Sequence, residues 1–242
     1  MVLNNTLYAL CFLLSASSIS AAESLTHLTS QDYPLGDHRY LVYITDANTG
    51  TLKNTAIWQR IVSIDEYQGQ PAIKIEQHWQ SADAKGNRDL VSYNRIDNFL
   101  PLYHRTHNAK GTEAYVFEPQ QIHGDKDLQD NLNSDFLQSH QPGLLNWELD
   151  METFALLDLA GKSQITLPFY HPGSKTAPAN YTYQVSEKSY HTPYGIALPC
   201  WVLHYSDGDK YQVDFYLDKV SGLVIYMQEV WDNIRRYKIK IT

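Results

Sequence analysis

Hydrophobic and polar residues alternate with a period of two along most of the chain, broken by turn chemistry, and this pattern predicts strands. In "RYLVYIT" Tyr40, Val42 and Ile44 share one side, and "DANTG" follows as a turn. "TAIWQRIVSI" places Trp58, Val62 and Ile64 together before "EYQGQP" ends the run. In "AIKIEQHW" Ile73, Ile75 and Trp79 face one way, and Lys74, Glu76 and His78 the other. "LVSYNRI", "PLYHRTH" and "EAYVFE" continue the series, with short connections and no helix between them. Such a succession is the mark of an antiparallel meander.

Between residues 124 and 160 the character changes. "GDKDLQDNLNSDFLQSHQPG" is polar and irregular. In "LLNWELDMETFALLDLAG" Trp147, Met151, Phe154 and Leu157 approximate helical spacing, which predicts one amphipathic helix over 147–159, closed by Gly161. Strand patterning then resumes in "SQITLPFYH", "NYTYQVSEKSY", "ALPCWVLHY", "KYQVDFYL", "LVIYMQEVW" and "RRYKIKI", with "SDGDK" and "DKVSG" as hairpin turns. About a dozen strands exceed what a flat open sheet sustains. The expected fold is therefore mainly β: a single antiparallel meander curled into a half-open barrel around one helix.

The amino terminus, MVLNNTLYALCFLLSASSISAA, carries a short apolar run from Leu7 to Leu14 and small residues before Glu23. It reads as a cleaved signal over residues 1–22, although no Lys or Arg precedes the run. The run is shorter than the ~20 residues of a spanning helix. Cys11 follows Tyr8-Ala9-Leu10, a poor context for lipoprotein processing. The expected product is one domain, residues 23–242, periplasmic or secreted, with no transmembrane segment. Cys200 is then the sole thiol, so the fold rests on its apolar core rather than on a disulfide.

Charge narrows the partners. A net charge of −8 argues against nucleic acid, because phosphate binding needs a basic field. The nearest basic cluster, Arg235, Arg236, Lys238 and Lys240, alternates with Tyr237, Ile239 and Ile241. It reads as a strand with one charged face, the dress of a solvated sheet edge.

The stretch "YTYQVSEKSYHTPYGIALPCWVLHYSDGDKYQVDFYLDKVSGLVIYMQEV" resembles the DUF3108-like family of exported bacterial proteins. There a Gly-containing hairpin leads into a strand ending in a small residue or Cys, and a last hairpin follows. "IDNFLPLYHRTHNAKG" is similar to the family's segment where a Pro introduces a strand after an acidic turn. The resemblance runs over residues 38–241 in order of elements. It implies a half-barrel wrapping a helix, similar to periplasmic lipoprotein carriers and other envelope lipid-handling proteins. It carries no catalytic residue with it.

The chain holds no G-x-S-x-G, H-E-x-x-H, P-loop, G-x-G-x-x-G or C-x-x-C motif, and no cofactor is implied. "PGSKT" lacks the upstream glycines of a phosphate loop. His104 and His107 are three apart on a strand, hence on opposite faces, and "SDGDK" is too short for a calcium loop, so no metal site follows. Glu148, Asp150 and Glu152 suit the start of the helix. Three adjacent pairs, Tyr103–His104, Tyr170–His171 and Tyr190–His191, could serve acid–base chemistry if the fold gathers them. Chance adjacency among 18 Tyr and 10 His is the plainer account. Trp58, Trp79, Trp147, Met151 and Phe154 either pack the core or wall an aromatic concavity suited to an acyl chain or glycan. Cys200 stands roughly 13 Å along its strand from His204, too far for a Cys–His pair, and is expected to be buried packing.

Three functions remain open. The first is a non-enzymatic envelope protein that binds a lipid, another amphiphile or a segment of a protein partner in the concavity. Burial of an acyl chain contributes about 0.8 kcal/mol per CH₂. The alternative is a secreted glycan-active hydrolase or lyase using the Tyr/His groups. A scaffold for another envelope protein is a third. An open apolar groove would favour binding, and one filled by the protein's own helix would favour the scaffold.

Overall fold

A computed structural model describes residues 22–242, so the predicted signal lies outside the described residues except for Ala22. The period-two segments form β1 (Gly36–Asp46), β2 (Leu52–Tyr67), β3 (Gln70–Ser81), β4 (Arg88–Arg95), β5 (Pro101–Asn108) and β6 (Gly111–Glu118). Three short strands follow: β7 (Gln121–Gly124), β8 (Leu137–Ser139) and β9 (Leu145–Asn146). The second run comprises β10 (Gln164–Tyr170), β11 (Ala179–His191), β12 (Ala197–Asp207), β13 (Tyr211–Asp218), β14 (Val224–Trp231) and β15 (Ile234–Lys240). The turns are made as their sequences direct. In "DANTG" the Asp46 carboxylate accepts from the backbone N–H groups of Asn48 and Thr49, and Gly50 takes φ +72°.

All fifteen strands belong to one sheet in the order β8-β7-β6-β5-β4-β3-β2-β1-β15-β14-β13-β12-β11-β10-β9. Chain neighbours are sheet neighbours throughout, except that β1 joins β15 and the sheet is open between β8 and β9. The pairing is antiparallel apart from the short parallel contact of β9 with β10. This is the expected half-open barrel. The seam between its edges is covered by side chains: Tyr115, Phe117 and Ile122 pack with Leu144 and Tyr170 in a small second core. The loop after β10 crosses here, and a Cβ on Gly173 (φ +78°) would sit 2.0 Å from the Tyr115 hydroxyl, so only glycine fits.

The concave face holds the main core. Tyr40, Val42, Trp58, Val62, Ile73, Ile75 and Leu90 from one half meet Leu203, Val213, Phe215, Leu217 and Met227 from the other. Between them lies the helical segment, a 3₁₀ turn (Trp147–Leu149) running into α1 (Asp150–Ala155). The helix expected over 147–159 is thus shorter than its apolar spacing suggests. Beyond Ala155 the Asp158 side chain accepts from the Ala160 N–H at 3.2 Å, and Gly161 turns at φ +71°. An Asp that bonds its own backbone offers the chain an alternative to helix. Leu159 is still buried, so the apolar period reflected contact with the core rather than helical continuation.

The basic cluster near the carboxyl terminus corrects a second expectation. β15 is a central strand, flanked by β1 and β14, and not a solvated edge. Register places Lys240 opposite Tyr40 and Lys238 opposite Val42, with Arg236 two residues on, so the charged face looks into the barrel. Tyr237, opposite Tyr43, is on the convex side, where the two rings stack at 4.5 Å. A charged strand face is soluble either in water or against buried counter-charges, and alternation alone does not distinguish the two.

Candidate functional site

α1 is anchored by charge as well as by packing. Arg60 on β2, 1% exposed, makes a bidentate pair with Glu152, its Nε lying 2.7 Å from Oε1. A bidentate guanidinium–carboxylate contact of this kind holds both ions in a fixed geometry, although the buried Arg60 Nη1 has no hydrogen-bond partner among the described residues. Arg60 also donates to the Glu148 carbonyl at 3.1 Å, which Gln77 reaches at 2.8 Å. The Gln77 side chain in turn accepts from the Trp58 indole N–H at 3.2 Å. The start of the helical segment is therefore pinned to β2 and β3.

A second buried network sets the 3₁₀ turn from the other side. The Asn146 side-chain oxygen accepts from the Glu148 N–H at 3.0 Å, while its NH₂ donates to His104 Nδ1 at 3.0 Å. Ser92 Oγ lies 2.8 Å from the same nitrogen, and His104 Nε2 is 3.0 Å from Thr106 Oγ1. An Nδ1 that accepts requires a neutral ring with its proton on Nε2. Burial pushes this imidazole down to about 4, only partly opposed by the charge of Glu148.

These supports deliver Trp147, Glu148 and Asp150 to the end of the barrel where the β3–β4 hairpin lies. There they meet Trp58, Trp79, Arg88, His171, Arg236 and Lys238 around a pocket of about 270 Å³. Trp58 is buried, whereas Trp79 and Trp147 are half-buried and His171 is exposed at the rim, its ring 4.8 Å from that of Trp147. Arg88 holds the Glu148 carboxylate through two bonds of 2.8 and 3.2 Å. Burial alone would raise that carboxyl, but the Arg88 guanidinium outweighs it and holds it at about 2. Arg236 is paired with the buried Glu229, which also accepts from the Tyr211 hydroxyl at 3.0 Å.

Lys238 and Asp150 differ from these. Each is 6% exposed, yet they form no ion pair with any described residue. The Lys238 ammonium sits 4.3 Å from the Trp58 ring centroid, whose environment also includes the Arg60 guanidinium at 4.2 Å. Burial lowers the Lys238 pKa to about 8 against the pull of Asp150. Burial likewise raises the Asp150 carboxyl, with Lys238 and Arg60 opposing, and its Oδ1 accepts only from the Met151 N–H, at 2.7 Å.

Of the residues expected to contact a ligand, Trp58, Trp79 and Trp147 line this pocket together. Met151 and Phe154 do not. They lie in the core, Phe154 at 0% exposure with its ring 4.8 Å from Phe215 and 5.2 Å from Tyr183. The apolar part of the concavity is thereby filled by the protein's own helix. This counts against an acyl chain lying there and favours the scaffold for that part; only the polar pocket beside the helix is left to a ligand.

The three Tyr/His pairs are dispersed. Tyr103 stacks with Tyr67, while His104 is enclosed in its network. Tyr170 belongs to the second core, and Tyr190 joins Tyr226 at 5.0 Å in an aromatic row outside the barrel. His191 is exposed at a strand end, and among the six only His171 lines the pocket. His104 and His107 occupy opposite faces, one buried and one exposed. Cys200 is fully buried, but on the convex side of β12, opposite Asp218 and Lys188 rather than in the concave core. Burial raises its thiol pKa. What sequence reasoning missed is Arg88, Arg236 and Lys238. The signal was present in "RRYKIK", whose alternation gave the face but not its direction.

The geometry defines a β half-barrel that is plugged by its own helix and keeps one charged, tryptophan-walled pocket. The chain belongs to the family described as a protein of unknown function (DUF3108), whose model matches residues 39–240. No curated protein matches it. Among the described residues no helix is long and apolar enough to cross a membrane.

Proposed function

We propose that this is an exported, non-enzymatic binding protein of the cell envelope, and that it holds the polar end of an amphiphile in the pocket beside α1. The observation that carries the reading is the pocket's composition: three Trp side chains with Arg88, Glu148, Asp150, Arg236 and Lys238 around one cavity. At about 270 Å³ it lies just below the ~300–1,000 Å³ of pockets that enclose whole drug-sized ligands. A head group fits that volume. The half-buried Trp79 and Trp147 at its wall offer apolar surface to whatever the head group carries.

Solvent extraction of natively purified protein, followed by mass spectrometry, tests this directly. An amphiphile should be released in stoichiometric amount, and the yield should fall with Trp79→Ala or Trp147→Ala. A clean extract from a well-folded preparation contradicts the reading and leaves the scaffold role.

A further inference from the structure

The pocket's charges do not close among themselves, and the remainder has a definite form. Arg88 is matched to Glu148, Arg236 to Glu229, and Arg60 behind the wall to Glu152. What remains is one cation, Lys238, and one anion, Asp150, both nearly inaccessible. Their mutual attraction is felt at a distance, but they do not meet in an ion pair. Both line the cavity, so the space beside them is where a partner can reach them, and buried ions without an ion-pair partner are costly until one is supplied.

Three kinds of occupant can be compared by this measure. A simple anion would satisfy Lys238 but bring a second negative charge towards Asp150. A simple cation would satisfy Asp150 and crowd Lys238, Arg88 and Arg236. A neutral occupant with separated charges pairs both groups at once and adds no net charge to the cavity. The tryptophan lining favours the same choice, because an ammonium is attracted to indole faces as well as to a carboxylate.

Resting on the reading of this pocket as a ligand site, we propose that it receives a zwitterionic group, with a phosphate or carboxylate against Lys238 and an ammonium against Asp150. The chemistry is shared by an aminoalkyl-phosphate lipid head group and a free amino acid.

Calorimetric titration of the wild-type protein separates these cases without relying on any variant. Glycerophosphoethanolamine is compared with glycerol 3-phosphate, which lacks the ammonium, with ethanolamine, which lacks the anion, and with γ-aminobutyrate. The proposal expects the two zwitterions to bind at least about tenfold tighter than either half. γ-Aminobutyrate bound more tightly than glycerophosphoethanolamine points to a free amino acid. The reverse order, with co-flotation on phosphatidylethanolamine vesicles, points to a lipid head group. Lys238→Met should weaken the zwitterions while sparing ethanolamine, and Asp150→Asn should weaken them while sparing glycerol 3-phosphate. Glycerol 3-phosphate binding as tightly as the zwitterions overturns the proposal and leaves an anion site, with the ligand-binding reading intact. If no probe binds yet native extraction releases an amphiphile, the zwitterion is wrong and the pocket reading stands. If no probe binds and extracts are clean, both fall.

Discussion

The concave face of the sheet serves two regions that differ in how their buried ions are paired. Around Phe154 the barrel is dense with aromatic rings, at 4.8 Å to Phe215 and 5.2 Å to Tyr183, and the buried ions Arg60 and Glu152 hold each other. Around Lys238, strands β2, β3, β4 and β15 supply charged groups and indoles about a cavity, and two buried ions lack an ion-pair partner among the described residues. β2 contributes to both regions through Arg60 and Trp58. The difference comes from the helical segment. α1 fills the first region, while the 3₁₀ turn before it borders the second and leaves space there. One region spends its side chains on stability, and the other keeps charge in reserve.

Substitutions in the dense region should have the largest effect. Phe154→Ala should cost about 3–5 kcal/mol in urea unfolding, from lost transfer energy and the cavity left behind. Glu152→Ala should cost about 3 kcal/mol, at the low end for a broken buried pair because Arg60 keeps the Glu148 carbonyl. Neither Phe154 nor Glu152 lines the pocket, so binding per folded molecule should be retained; loss of binding in a folded Phe154→Ala protein would show the regions to be one unit.

Asn146→Ala comes next, at about 1–3 kcal/mol, since it leaves the Glu148 N–H without its acceptor and removes one of the two contacts at His104 Nδ1. It should also disturb the pocket, because it frees the turn that carries Trp147. His104 adds a pH signature. Its folded pKa is about 4 against an ordinary 6.5, so the unfolded chain binds more protons between those values. The His104 contribution is therefore complete above pH 6.5 and lost as pH falls towards 4. His104→Gln should flatten stability in that window, measured by urea midpoints across pH. The smallest effect belongs outside the barrel: Asp89→Asn, in the exposed pair with His78, should change stability by less than about 1 kcal/mol.

The long strands were legible because each carries its alternation within itself. β1 to β6 and β10 to β15 emerge from local pattern, and their number forces the curl. β7, β8 and β9 were not, since segments of four, three and two residues are too short to display a period. For the site, strand alternation named Trp58 and Trp79 and helical spacing named Trp147, but that spacing equally named Phe154, because an aromatic on an inner face reads the same whether it meets a cavity or a neighbour. "RRYKIK" was misread for a related reason. Its direction depends on β15 pairing with β1, a contact between the two ends of the chain that nothing local announces.

Whether Lys238 is a buried ammonium awaiting a partner is read from its own titration. NMR of ¹³Cε-labelled lysines, with the Lys238 resonance assigned from Lys238→Arg, reads the charge in place among Asp150, Arg236, Glu229 and Arg60. The midpoint should lie at about 8 in the free protein and move upward when glycerophosphoethanolamine fills the pocket. A midpoint at the ordinary 10.5, or one that glycerophosphoethanolamine occupancy leaves unmoved, would contradict that role for Lys238.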